Sequence, residues 1–249
     1  MSGLTDVLSF VGEVGGLWVL LEAGRRLGKR PREKSGLSTI DGAVFGLMGL
    51  LIAFSFSGAA ARFDMHRQLI VQEANAIGSA YFRVDLLPEK DQPAVREDFR
   101  QYVDARLAYY RDLSNDEKAE QDDARATALQ NKIWHECVTA LSASDTAARS
   151  LTFSALNQMI DITTTRAVAL ETHPPVAIYL TLVVLVIGST LLAGYQMGAQ
   201  PKRNWTYMVL YSVILALSMS LIEDLEYPRA GLIRVDASDH VLMDLRQTM

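Results

Sequence analysis

Residues 40–85 read IDGAVFGLMGLLIAFSFSGAAARFDMHRQLIVQEANAIGSAYFRVD, and no proline interrupts them. Residues 42–61 carry no charge, which is about the ~20 residues a helix needs to cross a hydrocarbon core. Within them Gly42, Gly46, Gly49, Ala53, Ser57 and Ala60 recur at steps of three and four. That spacing draws a stripe of small side chains along one helix face, where another helix can approach closely. Phe45, Ile52 and Phe56 lie at helical spacing on a different face. After Arg62 the polarity changes but the period persists: Phe63, Ile70, Ile77 and Val84 repeat every seven residues, joined by Ala74 and Tyr81. The stretch reads as one long helix that leaves the membrane and opens a water-exposed bundle.

Composition agrees with a chain of two characters. Hydrophobic residues make up 49% of the 249 and charged residues 21%, with a formal net charge of -5. Such a chain is too apolar for an ordinary soluble protein and too charged to lie wholly in lipid. The acidic balance gives no support for nucleic-acid binding. The single cysteine, Cys137, excludes an intrachain disulfide framework.

Ahead of the long helix, residues 7–21 (VLSFVGEVGGLWVLL) form a weaker apolar segment containing Glu13 and the glycines Gly12, Gly15 and Gly16. No basic region precedes it and no small-residue cleavage site follows, so it reads as a first span and not as a signal peptide. Its glycines suit packing against the second span. A basic loop, 24–39, comes next, with Arg25, Arg26, Lys29, Arg30, Arg32 and Lys34 opposed by Glu33. Ser38 and Asp41 have capping-box spacing at the start of the long helix. Lipid headgroups are the expected partners of this basic run.

Residues 88–173 hold no glycine, and their apolar residues recur at helical steps: Phe99, Val103, Leu107 and Tyr110, then Leu129, Ile133, Val138 and Leu141, then Leu151, Ala155, Ile162, Arg166 and Leu170. Ser114 with Glu117 reads as a capping box for the middle helix. Pro174 and Pro175 close this region. Two further spans follow, 176–198 and 205–222, joined by a tight turn, with Trp205 and Tyr207 as interfacial anchors. The expected organisation is a first span pair over 1–61, an extramembrane helical bundle over 62–173, a second span pair over 174–223 and an acidic tail over 224–249. This is an all-α polytopic membrane protein with four transmembrane helices and a bundle inserted between spans two and three. Since basic residues concentrate in the two short loops, the positive-inside rule places those loops in the cytoplasm and the bundle and both termini outside.

The segment AFSFSGAAARFDMHRQLIVQEANAIGSAYFRVDLLP resembles the signature of a bacterial cell-membrane family called bestrophin-like, and DLEYPRAGLIRV after the last span resembles its closing motif. The four-span plan is similar too. More distantly the plan resembles true bestrophins, which are pentameric anion channels. That resemblance implies a homo-oligomer, a pentamer by analogy, conducting small ions along a pathway lined by span two. It also implies a cytoplasmic bundle, the reverse of the charge-based orientation.

No phosphate loop, paired-cysteine metal site or nucleophile elbow occurs, so no enzymatic activity, cofactor or metal is expected. His66 and Glu73 stand seven apart and His135 and Glu136 are adjacent, neither being the spacing of a zinc pair on one helix face. On the channel reading Phe45, Ile52 and Phe56 line the pore, and Arg62, Asp64, Arg67 and Glu73 supply charge to a vestibule. Their plainer reading is an interfacial ion-pair network. Glu13 is an acid inside an apolar span, expensive unless it is paired, protonated or beside a cavity. The alternative to a channel is a membrane-anchored sensor or scaffold whose bundle binds a ligand or protein partner.

Overall fold

The computed structural model of the chain describes residues 2–29, 37–113, 115–198, 200, 202–227, 233, 235 and 239–249. The rest of the basic loop (Arg30, Arg32, Glu33, Lys34), Ser114 and most of the closing motif after Tyr227 lie outside the described residues. All regular structure among the described residues is helical: α1 (Ser2–Leu27), α2 (Leu37–Phe82) with a 3₁₀ turn (Arg83–Leu86), α3 (Gln92–Arg111), α4 (Asp116–Ala140), α5 (Thr146–Glu171), α6 (Val176–Gly198), α7 (Trp205–Glu226) and α8 (His240–Thr248). Four helical stretches, containing α1, α2, α6 and α7, are long and apolar enough to cross a membrane. The all-α, four-span fold class expected from hydropathy is the one observed.

The helices form two compact units, Met1–Phe63 with His173–Arg234, and Asp64–Thr172 with Val235–Met249. In the first, α1 packs chiefly along α6 and α7, not along the second span as its glycines had suggested. The reason is a different glycine set. A Cβ on Gly24 would overlap the Leu191 carbonyl, one on Gly28 the Tyr195 carbonyl, one on Gly194 the Leu21 carbonyl and one on Gly198 the Arg25 carbonyl. Two small-xxx-small pairs, one on each helix, therefore let the backbones of α1 and α6 touch. Around them lie small apolar clusters, Leu17 with Val186, Leu215 and Ala216, and Leu21 with Ala193 and Met208.

Some helix ends depart from the sequence reading. Helix α1 continues through Arg25 and Arg26, because both arginines reach back one turn to Glu22. The long helix α2 starts at Leu37, so Ser38 lies inside it. Asp41 is buried and accepts a hydrogen bond from Gln196 Nε2 at 2.7 Å instead of closing a capping box.

The second unit is a bundle with one continuous core. The second half of α2 supplies Ala74, Ile77, Tyr81 and, through the 3₁₀ turn, Val84; α3 supplies Phe99, Tyr102 and Val103, α4 Ile133 and Cys137, and α5 Leu156 and Met159. Asn115, one residue later than the expected cap, starts α4 by accepting from the Lys118 amide at 3.2 Å. Val138 and Leu151, read as core positions, are exposed, since Ile133, Cys137 and Leu141 carry the inward face at α4 and Thr152, Ala155, Leu156 and Met159 carry that of α5. Helix α8, not foreseen in the acidic tail, buries Leu242 in this core and pairs Arg246 with Asp104 at 2.8 Å.

Candidate functional site

Helix α2 in the membrane unit has two unlike faces. One meets its own chain. Met48 accepts a hydrogen bond from Ser189, Ile52 joins the clusters around Leu17 and around Ile222, and Ala59 is fully buried. Phe45 is half-buried against Leu21, Ala193 and Met208. Phe56, third of the expected pore residues, is 41% exposed at the edge of this face.

Apart from Ala60 at its end, which packs beside Ile222 and Leu225, the other face meets little among the described residues. A Cβ on Gly42, Gly46 or Gly49 would find no atom within 4 Å. Ala53 and Ser57 are exposed, Ala60 is half-buried, and Leu47, Leu50 and Phe54 stand out between them. Only 6% of the most apolar window of this stretch is buried, against 28% for each of the last two spans. Among the described residues nothing covers Gly42, Gly46 or Gly49, so this part of the small-residue stripe is open.

The open face ends at a polar lock. Arg62 Nε donates to both oxygens of Glu226, at 2.9 and 3.1 Å, and its Nη2 lies 2.5 Å from Oε2. The Glu226 side chain is 1% exposed, and His173 Nδ1 stands 3.4 Å from Oε1 with its ring beside Tyr227. Two-pronged pairing of a guanidinium with a carboxylate fixes orientation as well as charge. Arg62 is therefore tied to the end of α7 and does not stand free. Asp64 and Arg67 form an exposed pair at 3.7 Å in the second unit.

Glu73 is elsewhere. It is fully buried in the bundle, where its carboxylate receives Arg106 Nε at 2.7 Å, Arg166, and the Tyr110 hydroxyl at 3.0 Å. Arg166 also lies over the Tyr110 ring at 3.7 Å, and Arg106 reaches Asp123 at 3.3 Å. Burial would lower the Arg106 pKa, but Glu73 beside it raises the pKa on balance. Burial, and then the Glu73 charge, push the Tyr110 phenol well above its ordinary range. The group is a neutralised strut joining α2 to α3 and α5. Its buried members Glu73, Arg106, Arg166 and Tyr110 offer no exposed acid or base, and only Asp123 at the rim reaches solvent.

A family model described as Bestrophin-like domain matches residues 9–239. The chain belongs to the bestrophin-like family. The fold is also similar to the crystal structure of a variant of a bacterial bestrophin homolog from Klebsiella pneumoniae, at 15% identity and a TM-score of 0.65, over 98% of this chain and 99% of that one. No curated protein matches the chain.

Within this bestrophin-like protein Glu13 is half-buried, accepts a hydrogen bond from Ser220 Oγ at 3.0 Å, and lines a cavity of about 530 Å³ with Leu17, Leu182, Val186, Ile222 and Glu223. Sequence reasoning missed the Arg62–Glu226 lock, since 164 residues separate the partners. It had a signal for Glu73. That residue shares the face of Ile70 and Ile77, and Arg106 and Arg166 lie on the inward faces of their own helices; three charges on apolar stripes call for one another.

Proposed function

We propose that the protein is the subunit of a homo-oligomeric ion channel of bestrophin type, with α2 bordering the pathway. The observation that carries the reading is the bare small-residue face of α2. Lipid gains nothing from a glycine stripe, whereas a protein neighbour gains close van der Waals contact. Family membership points the same way, and the bestrophin resemblance supplies anions and a pentamer as the working choice.

Of the expected pore residues, Phe56 is the one we assign to the constriction, because Phe45 and Ile52 are half-occupied by their own chain. A narrow apolar ring gates by excluding water. Asp64 and Arg67 are the vestibule charges on this reading, Arg62 is an anchoring residue, and Glu73 is a strut inside the bundle. Charge bias supports a cytoplasmic side for the short loops, testable with a periplasm-active reporter at Met249, which is expected to work. Silence there, with a cytoplasmic reporter active, would instead support the bestrophin orientation.

Conduction is tested in liposomes. Phe56→Ala is expected to leak chloride faster than wild type, both proteins being verified as inserted. Equal tightness of the two to chloride, sodium and potassium would remove the channel reading and favour a membrane-anchored scaffold.

A further inference from the structure

The opposite end of the membrane helices carries charge that the channel reading does not use. There the last turns of α1 meet the turn before α7. Glu22 accepts from Arg25 Nε and Nη2, both at 2.9 Å, and from Arg26 Nε at 3.2 Å, and Arg203 Nη2 lies 3.1 Å from the same carboxylate. Three guanidiniums thus share one carboxylate and leave a surplus of two positive charges. Arg203 Nε is buried without a hydrogen-bond partner, and Nη2 meets Glu22 only as an ion pair; a buried donor left in this state costs stability unless an acceptor arrives. The Arg203 guanidinium lies 3.8 Å over the Trp205 ring, which stacks on Trp18 at 6.0 Å. A cleft of about 550 Å³ opens here, floored by Trp18, Val19 and Leu27 and edged by Glu22, Arg26 and Arg203.

We infer that this cleft is a headgroup site for an anionic phospholipid. Arg203 Nε lacks an acceptor, the surplus positive charge favours an anionic one, and an anion with several oxygens can reach Arg26 as well; a phosphate meets all three conditions. Guanidinium pairs with phosphate oxygens through two parallel donors and stacks on aromatic faces, as Arg203 already does. The paired tryptophans are the residues expected at headgroup level. The apolar floor decides between sources of phosphate. Val19 and Leu27 are exposed and give an acyl chain a surface to follow, which a free phosphate ion does not need.

The test uses the full chain carrying Trp134→Phe, so that of the three tryptophans only Trp18 and Trp205 report. It is reconstituted in phosphatidylcholine vesicles containing a low mole fraction of either phosphatidylglycerol or phosphatidylcholine brominated high on the acyl chain. Brominated phosphatidylglycerol is expected to quench at lower mole fraction, by roughly fivefold per arginine engaged, the equivalent of ~1 kcal/mol. The preference is expected to vanish in Arg26→Gln/Arg203→Gln and to be largely kept in Arg26→Lys/Arg203→Lys. Equal quenching by both lipids in the parent protein overturns the inference without any further variant. So does a preference that survives the double glutamine change. Loss of the preference on adding inorganic phosphate overturns the lipid assignment in favour of a free-anion site.

Discussion

Two sets of glycines in the membrane unit carry the same spacing and meet opposite surroundings. Gly24, Gly28, Gly194 and Gly198 bring the backbones of α1 and α6 together until no Cβ fits, while Gly42, Gly46 and Gly49 on α2 have open space around them. In lipid there is no water-driven reason for helices to associate, so a face without side chains is useful only where another helix touches it. The spacing states that a helix can be approached closely. Among the described residues the chain itself answers for Gly24, Gly28, Gly194 and Gly198, while the stripe on α2, like Gly12, Gly15 and Gly16 on α1, is left open; on the proposed function the α2 stripe meets a neighbour.

The largest expected effect comes from breaking the closed set. Gly194→Leu forces a side chain into the Leu21 carbonyl, which belongs to a helix backbone and cannot step aside. Loss of folded, detergent-extractable protein is expected, beyond the ~1–3 kcal/mol of ordinary overpacking. A normal melting temperature for Gly194→Leu would show that α1 and α6 do not touch as described.

Helix α2 sharpens the contrast along its own length, since its bundle half is packed into a core where one face of its membrane half is bare. Glu73→Ala leaves Arg106 and Arg166 buried without their carboxylate, with an expected cost of ~3–5 kcal/mol. Chemical denaturation monitored by Trp134, whose ring packs at a tilt against Phe153 in the same unit, reads that loss. An effect within experimental error would mean that water reaches the network.

Gly46→Leu is the counterpart on the open set. The subunit is expected to keep its helix content and extractability, with a stability change within ~0.5 kcal/mol as for a surface position. Size-exclusion chromatography with light scattering is expected to report loss of the assembled form. An unchanged assembly would place the stripe against lipid.

The smallest effect concerns Cys137 in the bundle core. Burial, and then the neighbouring Glu136, push its thiol up to about 12. The folded pKa thus lies above the ~8.5 of an unfolded thiol. Its contribution to stability is therefore present below that value and declines as pH rises toward the folded one. Maleimide is expected to label it slowly in native protein at neutral pH and rapidly after denaturation. Fast native labelling would show that the core opens.

Much of this plan is legible without coordinates, for identifiable reasons. Spans show as long uncharged runs, and Ile70, Ile77 and Val84 announce the bundle core by their period. Glu73 was legible by face, because a carboxylate between Ile70 and Ile77 must turn inward, but its local company of Asp64 and Arg67 drew it toward the surface reading. Gly24 and Gly28 stood in view but lay among arginines, where a loop looked more natural than a helix. Arg62 with Glu226 and Arg203 with Glu22 join residues far apart in sequence, and nothing local marks such partners. Helix α8 hid in an acidic tail because its inward face is short, resting mainly on Leu242 and Leu245.

The claim on which the functional account depends is that the open face of α2 meets another copy of itself. Because Cys137 is the single native cysteine and is buried, Ala53→Cys places one reactive thiol on that face. Val184→Cys places one on an exposed position of α6 as a control. Oxidation in native membranes is expected to link Ala53→Cys subunits into dimers while Val184→Cys stays monomeric. Equal cross-linking of the two, or none at Ala53→Cys in protein shown to be folded, would contradict it.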